Sequence, residues 1–437
     1  MSTSDIAARG IEFFGFIDGA YKNVPWAGER KSNYIDLTNK YYDPIEGQRA
    51  LSNQLDVLED LEEYGFDGAV FSEQHNGPIG LGANPMLAGA WLAARTNRMK
   101  IVVNGPIINA YQSPVRLAEE IAILDTMTKG RLVFGLPMGH GMQHHSIGIN
   151  PATARARMAE AHDLLYAALY NDGPFEWKGD FFNIPYVNIW PRPTHKIETI
   201  LPGGGSLETL QRAAKYRYCY QNALSPRASM VKTMERFREL CREEGYEPTP
   251  TQSAALFTVH VAETDAQARR EVEELELWNY QNFFRSPGHD NFPPGYVSAA
   301  SVRAMRGGGY RSTPVHELKY DELLENHWLI AGSPETVTRM LTESIEELGI
   351  GRALLGFTTG IKPKWLTDKS ISLFAEEVMP KFRADKGKPL VTQEDMTGYR
   401  TASEYAALRR PGAHPPTAEV NGVLKDVSRS YLPDAEQ

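Results

Sequence analysis

Cysteine is nearly absent: the 437 residues hold two, Cys219 and Cys241. Two thiols cannot build a disulfide framework or a four-thiolate zinc site, so a reducing compartment is expected. Positive charge is also in deficit, with 46 Lys and Arg against 55 Asp and Glu and a net charge of −9. A general nucleic-acid binder needs the opposite balance. No run of about 18 apolar residues occurs, so no membrane-spanning helix is expected. Met1–Gly10 contains Asp5 and Arg9 and no apolar core of signal-peptide length. A cytoplasmic protein that partners neither membrane nor nucleic acid is the expectation. Several catalytic signatures are missing too. There is no G-x-G-x-x-G in a βαβ setting, no phosphate-binding P-loop, no G-x-S-x-G elbow and no H-E-x-x-H.

What is present is a rhythm. Short apolar runs alternate with longer amphipathic ones over the first 360 or so residues. Eight runs read as strands: 11–17, 66–72, 100–108, 131–136, 198–201, 218–221, 254–261 and 352–357. Their near-continuous Val, Ile, Leu and Phe content suits strands buried on both faces. Amphipathic segments between them read as helices, one opened by Ser113-Pro114 as N-cap and first-turn proline. Eight alternating elements predict a closed (β/α)8 TIM barrel, α/β in class, with a doubly wound open sheet as the alternative.

Three segments interrupt the rhythm. Residues 18–45 form a long loop carrying Tyr21, Trp26, Tyr34, Tyr41 and Tyr42. Residues 285–326 form an insertion with Pro287, Pro293, Pro294 and Gly307-Gly308-Gly309. A C-terminal extension over 384–437 carries Pro411, Pro415 and Pro416 and little periodicity, leaving 10–383 as the barrel domain. Loops this long in a compact domain are usually functional or disordered.

Candidate chemistry clusters at strand exits, the functional face of a barrel. Gly203-Gly204-Gly205-Ser206 lies between a strand and a helix. Unobstructed backbone N–H groups there suit a phosphate, and a flexible turn with a serine cap accounts for the tripeptide equally well. Glu73, Gln74 and His75 follow the second strand, where a carboxylate and an imidazole can orient a ligand, move a proton or serve structure alone. His140, His144 and His145 follow the fourth strand without the spacing of a catalytic metal site, and no metal is expected. Asn104-Gly105-Pro106 ends the third strand, with Gly105 either admitting a flat ring or marking a bulge.

Taken together, these segments resemble the bacterial luciferase-like flavin-dependent monooxygenases. The resemblance runs through FSEQHNGPIGLGANPMLAGAWLAARTNRMKIVVNGPIINAYQSPVRLAEEIAILDTMTKGRLVFGLPMGHG (71–141). It continues in LPGGGSLETLQRAA (201–214), AGSPETV (331–337), LGF (355–357) and LFAEEVMPKFR (373–383). It implies a dimeric (β/α)8 barrel that reacts reduced FMN with O2 to oxygenate a small organic substrate. A separate NAD(P)H-dependent flavin reductase would supply the reduced flavin. By the same resemblance, Glu73 and His75 match the family's Glu-x-His, and Asn104 and Gly105 lie beside the flavin ring. Met138 sits at a flavin-contacting strand exit, Arg155 meets the flavin phosphate, and Gly203, Gly204, Gly205 and Ser206 form the phosphate-facing turn. The insertion at 285–326 falls where luciferases carry a mobile loop, implying a lid that keeps out water.

Two departures stand out. Gln74 replaces the middle histidine of the luciferases' Glu-His-His. An amide cannot act as a general base, so light emission is not expected and a base must lie elsewhere. Pro137-Met138 replaces a Cys-Arg pair, removing one cationic contact to the flavin. Two other readings stand beside the oxygenase. One is an F420-dependent oxidoreductase of the same fold; the other is a non-catalytic flavin-binding protein.

Overall fold

The computed structural model describes residues 6–8, 10–25, 36–193, 195–222, 225–285, 293–296, 315–384, 417–420 and 423–426. Trp26 and Tyr34 of the aromatic loop lie outside these residues. So do Pro287 and Gly307–Gly309 of the insertion, and Pro411, Pro415 and Pro416 of the extension.

Eight parallel strands close into a barrel: β1 (Glu12–Ile17), β2 (Gly68–Ser72), β3 (Lys100–Asn104), β4 (Leu132–Gly135), β7 (Glu198–Gly203), β8 (Cys219–Asn222), β9 (Ser253–Val261) and β11 (Arg352–Thr358). Closure comes from two pairings. β8 joins β9, and β1 joins β11 with Glu12 opposite Arg352 and Phe16 opposite Gly356. The open-sheet alternative is thereby excluded, because no edge remains along the ring. These are the eight strands expected from the apolar runs, and helices follow them in the order that the rhythm predicts.

The helix starts are chemically explicit. Asp43 Oδ1 accepts from Ile45 N (2.8 Å) and Glu46 N (3.1 Å), opening the helix Pro44–Asp60. Asn84 Oδ1 accepts from Met86 N (2.9 Å) at the start of Pro85–Arg95. Each cap satisfies N–H groups that the helix itself leaves unbonded. Ser113 occupies the N-cap position of Pro114–Thr128, but its side chain makes no capping bond.

The sequence reading missed three elements. Residues 175–187 form an antiparallel hairpin of β5 (Phe175–Lys178) and β6 (Asn183–Val187). β10 (Leu329–Gly332) pairs with the upper half of β9. Because Thr258 pairs with both Leu329 and Gly356, β10 lies on the β9 edge opposite β11. A third, antiparallel pair joins β12 (Thr417–Val420) to β13 (Val423–Asp426) within the extension. Strand three is shorter than expected. It stops at Asn104, since Pro106 has no N–H to donate and residues 108–110 turn into a 3-10 helix.

Inside the barrel, Phe14, Phe16, Val70, Val102, Val133, Ile200, Cys219, Ala254 and Leu354 fill the middle. The outward positions of the same strands pack on the helices in a second, larger core. Period-two alternation thus sorts one sequence into two cores.

Below the apolar middle lies a floor of four charges from four strands. Lys100 Nζ is 3.2 Å from Glu12 Oε1 and 3.0 Å from Glu198 Oε2. Arg352 meets Glu12 Oε2 at 2.5 Å and Glu198 Oε1 at 2.6 Å, with its guanidinium 4.6 Å from the Phe14 ring centre. Arg352 is 1% exposed, so it depends on both carboxylates. Burial alone would raise the Glu198 acid, but the opposed Arg352 and Lys100 charges outweigh it and hold the group down at about 2.

This sets a pH dependence. A depressed carboxylate contributes stability that is complete above its unfolded value of 4.5 and is lost as pH falls through about 2. Glu198→Gln should lower stability at pH 7 by about 1–2 kcal/mol. That is the lower part of the range for charged hydrogen bonds, because the Glu198 side chain is 35% exposed. Urea denaturation at several pH values should show wild type and variant converging below pH 4.5. A gap that stays constant down to pH 2 would place the stabilisation elsewhere.

Candidate active site

At the opposite end of the barrel from the floor charges, the exits of β1, β2, β3 and β8 carry a polar ring. Asp18, directly after β1, follows Phe14 and Phe16 at the inward spacing, and Ser72 follows Val70 likewise. Ser72 N donates to Asp18 Oδ1 (3.0 Å), and Ser72 Oγ donates to Asp18 Oδ2 (2.8 Å). Gln74 Nε2 in turn donates to Ser72 Oγ (2.9 Å). Across the mouth, Asn104 Nδ2 on β3 donates to Gln221 Oε1 on β8 (3.2 Å). Asn104 Oδ1 is buried there with no hydrogen-bond partner. Burial pushes the Asp18 carboxyl above its ordinary value, against the lowering effect of its bonds from Ser72.

Glu73 and His75 form a second group beside this ring. His75 Nε2 is 2.5 Å from Glu73 Oε1, while Glu73 Oε2 accepts from Ile107 N (2.8 Å). The carboxylate therefore joins the exits of β2 and β3 and fixes the imidazole at the same time. Gly105 belongs to this group. A Cβ there would stand 2.8 Å from Glu73 Cβ and 3.1 Å from Pro85 Cγ. Its missing side chain makes room for Glu73 and the start of the next helix.

At the β4 exit, Met138 packs on the core, and its carbonyl accepts from His144 Nε2 (3.2 Å). His144 is 1% exposed, its Nδ1 has no partner, and burial lowers its affinity for a second proton. Tyr296 covers it, with ring centres 5.3 Å apart, and Tyr296 Oη donates to Gly139 O (2.7 Å). His140 and His145 reach the surface, and among the described residues the three histidines form no group placed to hold a metal ion. Arg155 Nε donates to Tyr296 O (3.1 Å), tying the helix Ala154–Tyr170 to residues 293–296.

The glycine turn leads from β7 to the helix Leu207–Tyr216. A Cβ on Gly204 would meet nothing within 4 Å, whereas Gly205 has φ +92° and faces Thr233. Ser206 stands at the N-cap but bonds Thr209 Oγ1 (2.8 Å), so its side chain does not cap the helix. The turn's amides are thus open to a ligand. Asn222, opposite Gly203 in the β7–β8 register, is fully buried with both side-chain polar atoms unpartnered. No hydrogen bond or ion pair among the described residues links Arg155 to this turn.

Sequence reasoning picked out Glu73, Gln74, His75, Asn104, Gly105, Met138, Arg155 and the glycine turn. It missed Asp18, Gln221, Asn222 and Tyr296 as site residues. Asp18 carried a signal: it is the first polar residue after Phe14 and Phe16 on the inward spacing of the strand. Gln221 and Asn222 carried another, as amides ending a buried strand. Tyr296 carried none, since its contacts are made more than 140 residues away.

A closed parallel barrel with buried, unsatisfied polar groups at its C-terminal mouth defines a (β/α)8 enzyme. Residues 35–352 match the luciferase-like monooxygenase family, and the chain belongs to it. It is 28% identical over 277 residues to limonene 1,2-monooxygenase of Rhodococcus erythropolis, covering 59% of this chain and 66% of that protein. Its fold is shared with the oxygenating constituent of 3,6-diketocamphane monooxygenase of Pseudomonas putida, a type II Baeyer–Villiger enzyme solved with FMN. There the TM-score is 0.63 at 19% identity, over 85% of this chain and 99% of that one. An F420-dependent secondary alcohol dehydrogenase solved with an F420–acetone adduct superposes equally well, with a TM-score of 0.63 at 17% identity, over 86% of this chain and 99% of the other.

The crowding at Gly105 gives a direct test of the Glu73 arrangement. Gly105→Ala should cost about 1–3 kcal/mol, the usual range for overpacking. The thermal midpoint should fall less when Gly105→Ala is made in a Glu73→Gly background, where the clashing Cβ is absent. A single variant as stable as wild type would show that the β2 and β3 exits can move apart freely.

Proposed function

We propose that this chain is an FMN-dependent monooxygenase that uses reduced FMN and O2 to oxygenate a small organic substrate. The observation that carries the reading is the combination, on one barrel face, of an open glycine turn and a polar mouth with an unsatisfied Asn104 Oδ1. A buried acceptor without a donor costs free energy that a ligand N–H or O–H removes. Amides at a helix N-terminus suit a phosphate monoester. FMN offers both kinds of group, so the residues present fit it.

In this reading the backbone of Gly203, Gly204, Gly205 and Ser206 holds the phosphate, and Arg155 adds positive charge. Asn104, with Gly105 and Met138 alongside, borders the ring system. Glu73, Gln74 and His75 line the rim where protons move, His75 held in place by Glu73. Reduced FMN, when bound, supplies the electrons that activate O2. The barrel's part is to bind, to orient and to exclude water. A separate NAD(P)H-dependent flavin reductase delivers the reduced flavin, in keeping with the absence of a Rossmann fingerprint from the sequence. A cytoplasmic setting is in keeping with Cys219 and Cys241, both buried and unpaired. Burial pushes the Cys219 thiol up to about 12, which leaves it inert.

The active form is read as a homodimer. The helices Pro85–Arg95 and Pro114–Thr128 pack on each other and together expose Leu87 (70%), Ile123 and Met127. An apolar face on two neighbouring helices suits a self-complementary twofold contact.

Anaerobic titration with reduced FMN, reduced F420 and reduced riboflavin tests the cofactor. FMN should bind at least about tenfold more tightly than riboflavin, roughly 1.4 kcal/mol from the phosphate. Gly204→Asp, which has room for its side chain, should abolish that preference by placing a carboxylate where the phosphate sits. Preference for F420 would shift the reading to hydride transfer, and binding of neither flavin would remove it. For the assembly, Leu87→Glu/Ile123→Glu should sediment as a monomer where wild type sediments as a dimer. An unchanged mass would exclude this face.

A further inference from the structure

We infer that Asp18, acting through the Ser72 hydroxyl, is the proton-holding group of the barrel mouth. The inference rests on the oxygenase reading for the reaction that it serves, and on geometry for the residues. The sequence raised the need: Gln74 stands where a titratable side chain was expected, and an amide cannot take a proton at working pH. The structure shows what Gln74 does instead. Its Nε2 donates to Ser72 Oγ and occupies one of that oxygen's two lone pairs. The Ser72 hydrogen is directed to Asp18 Oδ2 at 2.8 Å. One lone pair on Ser72 Oγ is left for a donor in the mouth.

A relay follows with its atoms balanced. A hydroxyl or other acidic group in the mouth gives its proton to Ser72 Oγ as the Ser72 proton passes to Asp18 Oδ2. Ser72 Oγ gains one O–H bond and loses one, the donor loses one, and Asp18 Oδ2 gains one. Serine ends as it began, the donor becomes an anion, and Asp18 becomes neutral. The reverse sequence returns the proton. Asp18 Oδ1 stays bonded to Ser72 N throughout, so the carboxyl keeps its orientation in either state. Desolvation, which disfavours the carboxylate, lets the group hold a proton above the ordinary aspartate value.

The surroundings leave Asp18 the uncommitted acid. From the β2 exit the neighbouring ionisable groups are Glu73 and His75, which are paired with each other. From the β11 exit, Lys362 is spent on Glu276 (2.8 Å), both fully buried, and on the Phe357 carbonyl (2.9 Å). The groups that touch Asp18 itself, Ser72 and the Thr358 carbonyl on its own N–H, are uncharged. A purely structural aspartate would also staple β1 to β2. Asp18→Asn preserves that staple, since an amide oxygen can still accept from Ser72 N, but it cannot exchange a proton.

Two measurements decide between the roles. The first is a stopped-flow series in which the protein with reduced FMN is mixed with oxygenated buffer from pH 5 to 9, following flavin reoxidation. Wild type should show one ionisation. Asp18→Asn should bind reduced FMN as wild type does, react about 10²-fold more slowly where the base is needed, and lose that ionisation. Ser72→Ala should be slow but still carry it. An Asp18→Asn profile parallel to wild type overturns the inference. So does loss of the ionisation in His75→Ala with its retention in Asp18→Asn, which would assign the proton to the Glu73–His75 pair. The second measurement needs no flavin. Wild type minus Asp18→Asn infrared spectra across the same pH range should show a carboxylic C=O band that titrates above about 4, the unperturbed aspartate value. A carboxylate ionised at every pH overturns the inference even if the protein binds no flavin, whereas failure to bind FMN alone overturns only the oxygenase reading.

Discussion

Everything in this fold depends on closing the ring between β1 and β11, and the closure is made by charge. Glu12 and Arg352 are direct partners in the β1–β11 register and ion-pair partners inside the barrel. Glu198 and Lys100 extend the contact to β7 and β3, so four of the eight strands are bound at one level. Such a buried network is a weak source of net stability, because desolvation offsets most of its attraction. Its larger effect is on register. Sliding β11 by one residue would turn Arg352 out of the barrel and leave two carboxylates facing each other. The alternation of the strands would then put Leu354 among the helices.

The barrel's two ends differ: the floor carries paired charges, the mouth uncharged polar groups with partners missing. The floor groups are matched charge against charge, with Arg352 Nη1 held by its ion pair to Glu198 and not by a hydrogen bond. The mouth and the exits beside it leave Asn104 Oδ1, His144 Nδ1 and both polar atoms of Asn222 without partners, though all are buried. Proteins rarely tolerate such groups away from functional sites, so the gathering of several of them at the strand exits supports a ligand site there. Single buried atoms without a hydrogen bond occur elsewhere too, His260 Nδ1 and Arg157 Nε among them, but in each of those side chains another atom is bonded or ion-paired. His327 is also buried, yet Arg227 and Ser344 satisfy both its nitrogens, and burial together with Arg227 holds it at about 4. It joins helices and has no free chemistry.

How much of this was legible in the sequence depended on the range of the interaction concerned. Strands and helices were legible because period-two and period-3.6 patterns are local, and the apolar runs 100–108 and 352–357 declare themselves without partners, although only 100–104 of the first is strand. The caps at Asp43 and Asn84 are equally local but were not read, and the one that was, Ser113, makes no side-chain capping bond. β10 was not legible, since four residues between an insertion and a helix make a strand only when β9 offers an edge. LFAEEVMPKFR was visible as a pattern, but its purpose was not: Arg383 is buried against Asp67 (2.7 Å), whose other bond holds Phe13 N at the start of the barrel. Among site residues, Glu73 and Asn104 stood out as polar groups at strand ends. Asp18 carried the same signal but was read as the first residue of a loop.

Arg155 shows how an expectation and the geometry can both hold. The resemblance implies a phosphate contact, and the structure shows a bond from Nε to the Tyr296 carbonyl. A guanidinium carries five donors in one plane, and that bond uses one. The Nη edge remains available to an anion while Nε holds residues 293–296 against Gly139 and His144. Gly295 is needed for the same contact: at φ +87° its missing Cβ would lie 2.6 Å from Ala152 Cα, two residues before the helix that carries Arg155. Tyr296, Gly295 and Arg155 are therefore one packing unit, and anything that repositions the arginine must also shift the tyrosine that covers His144.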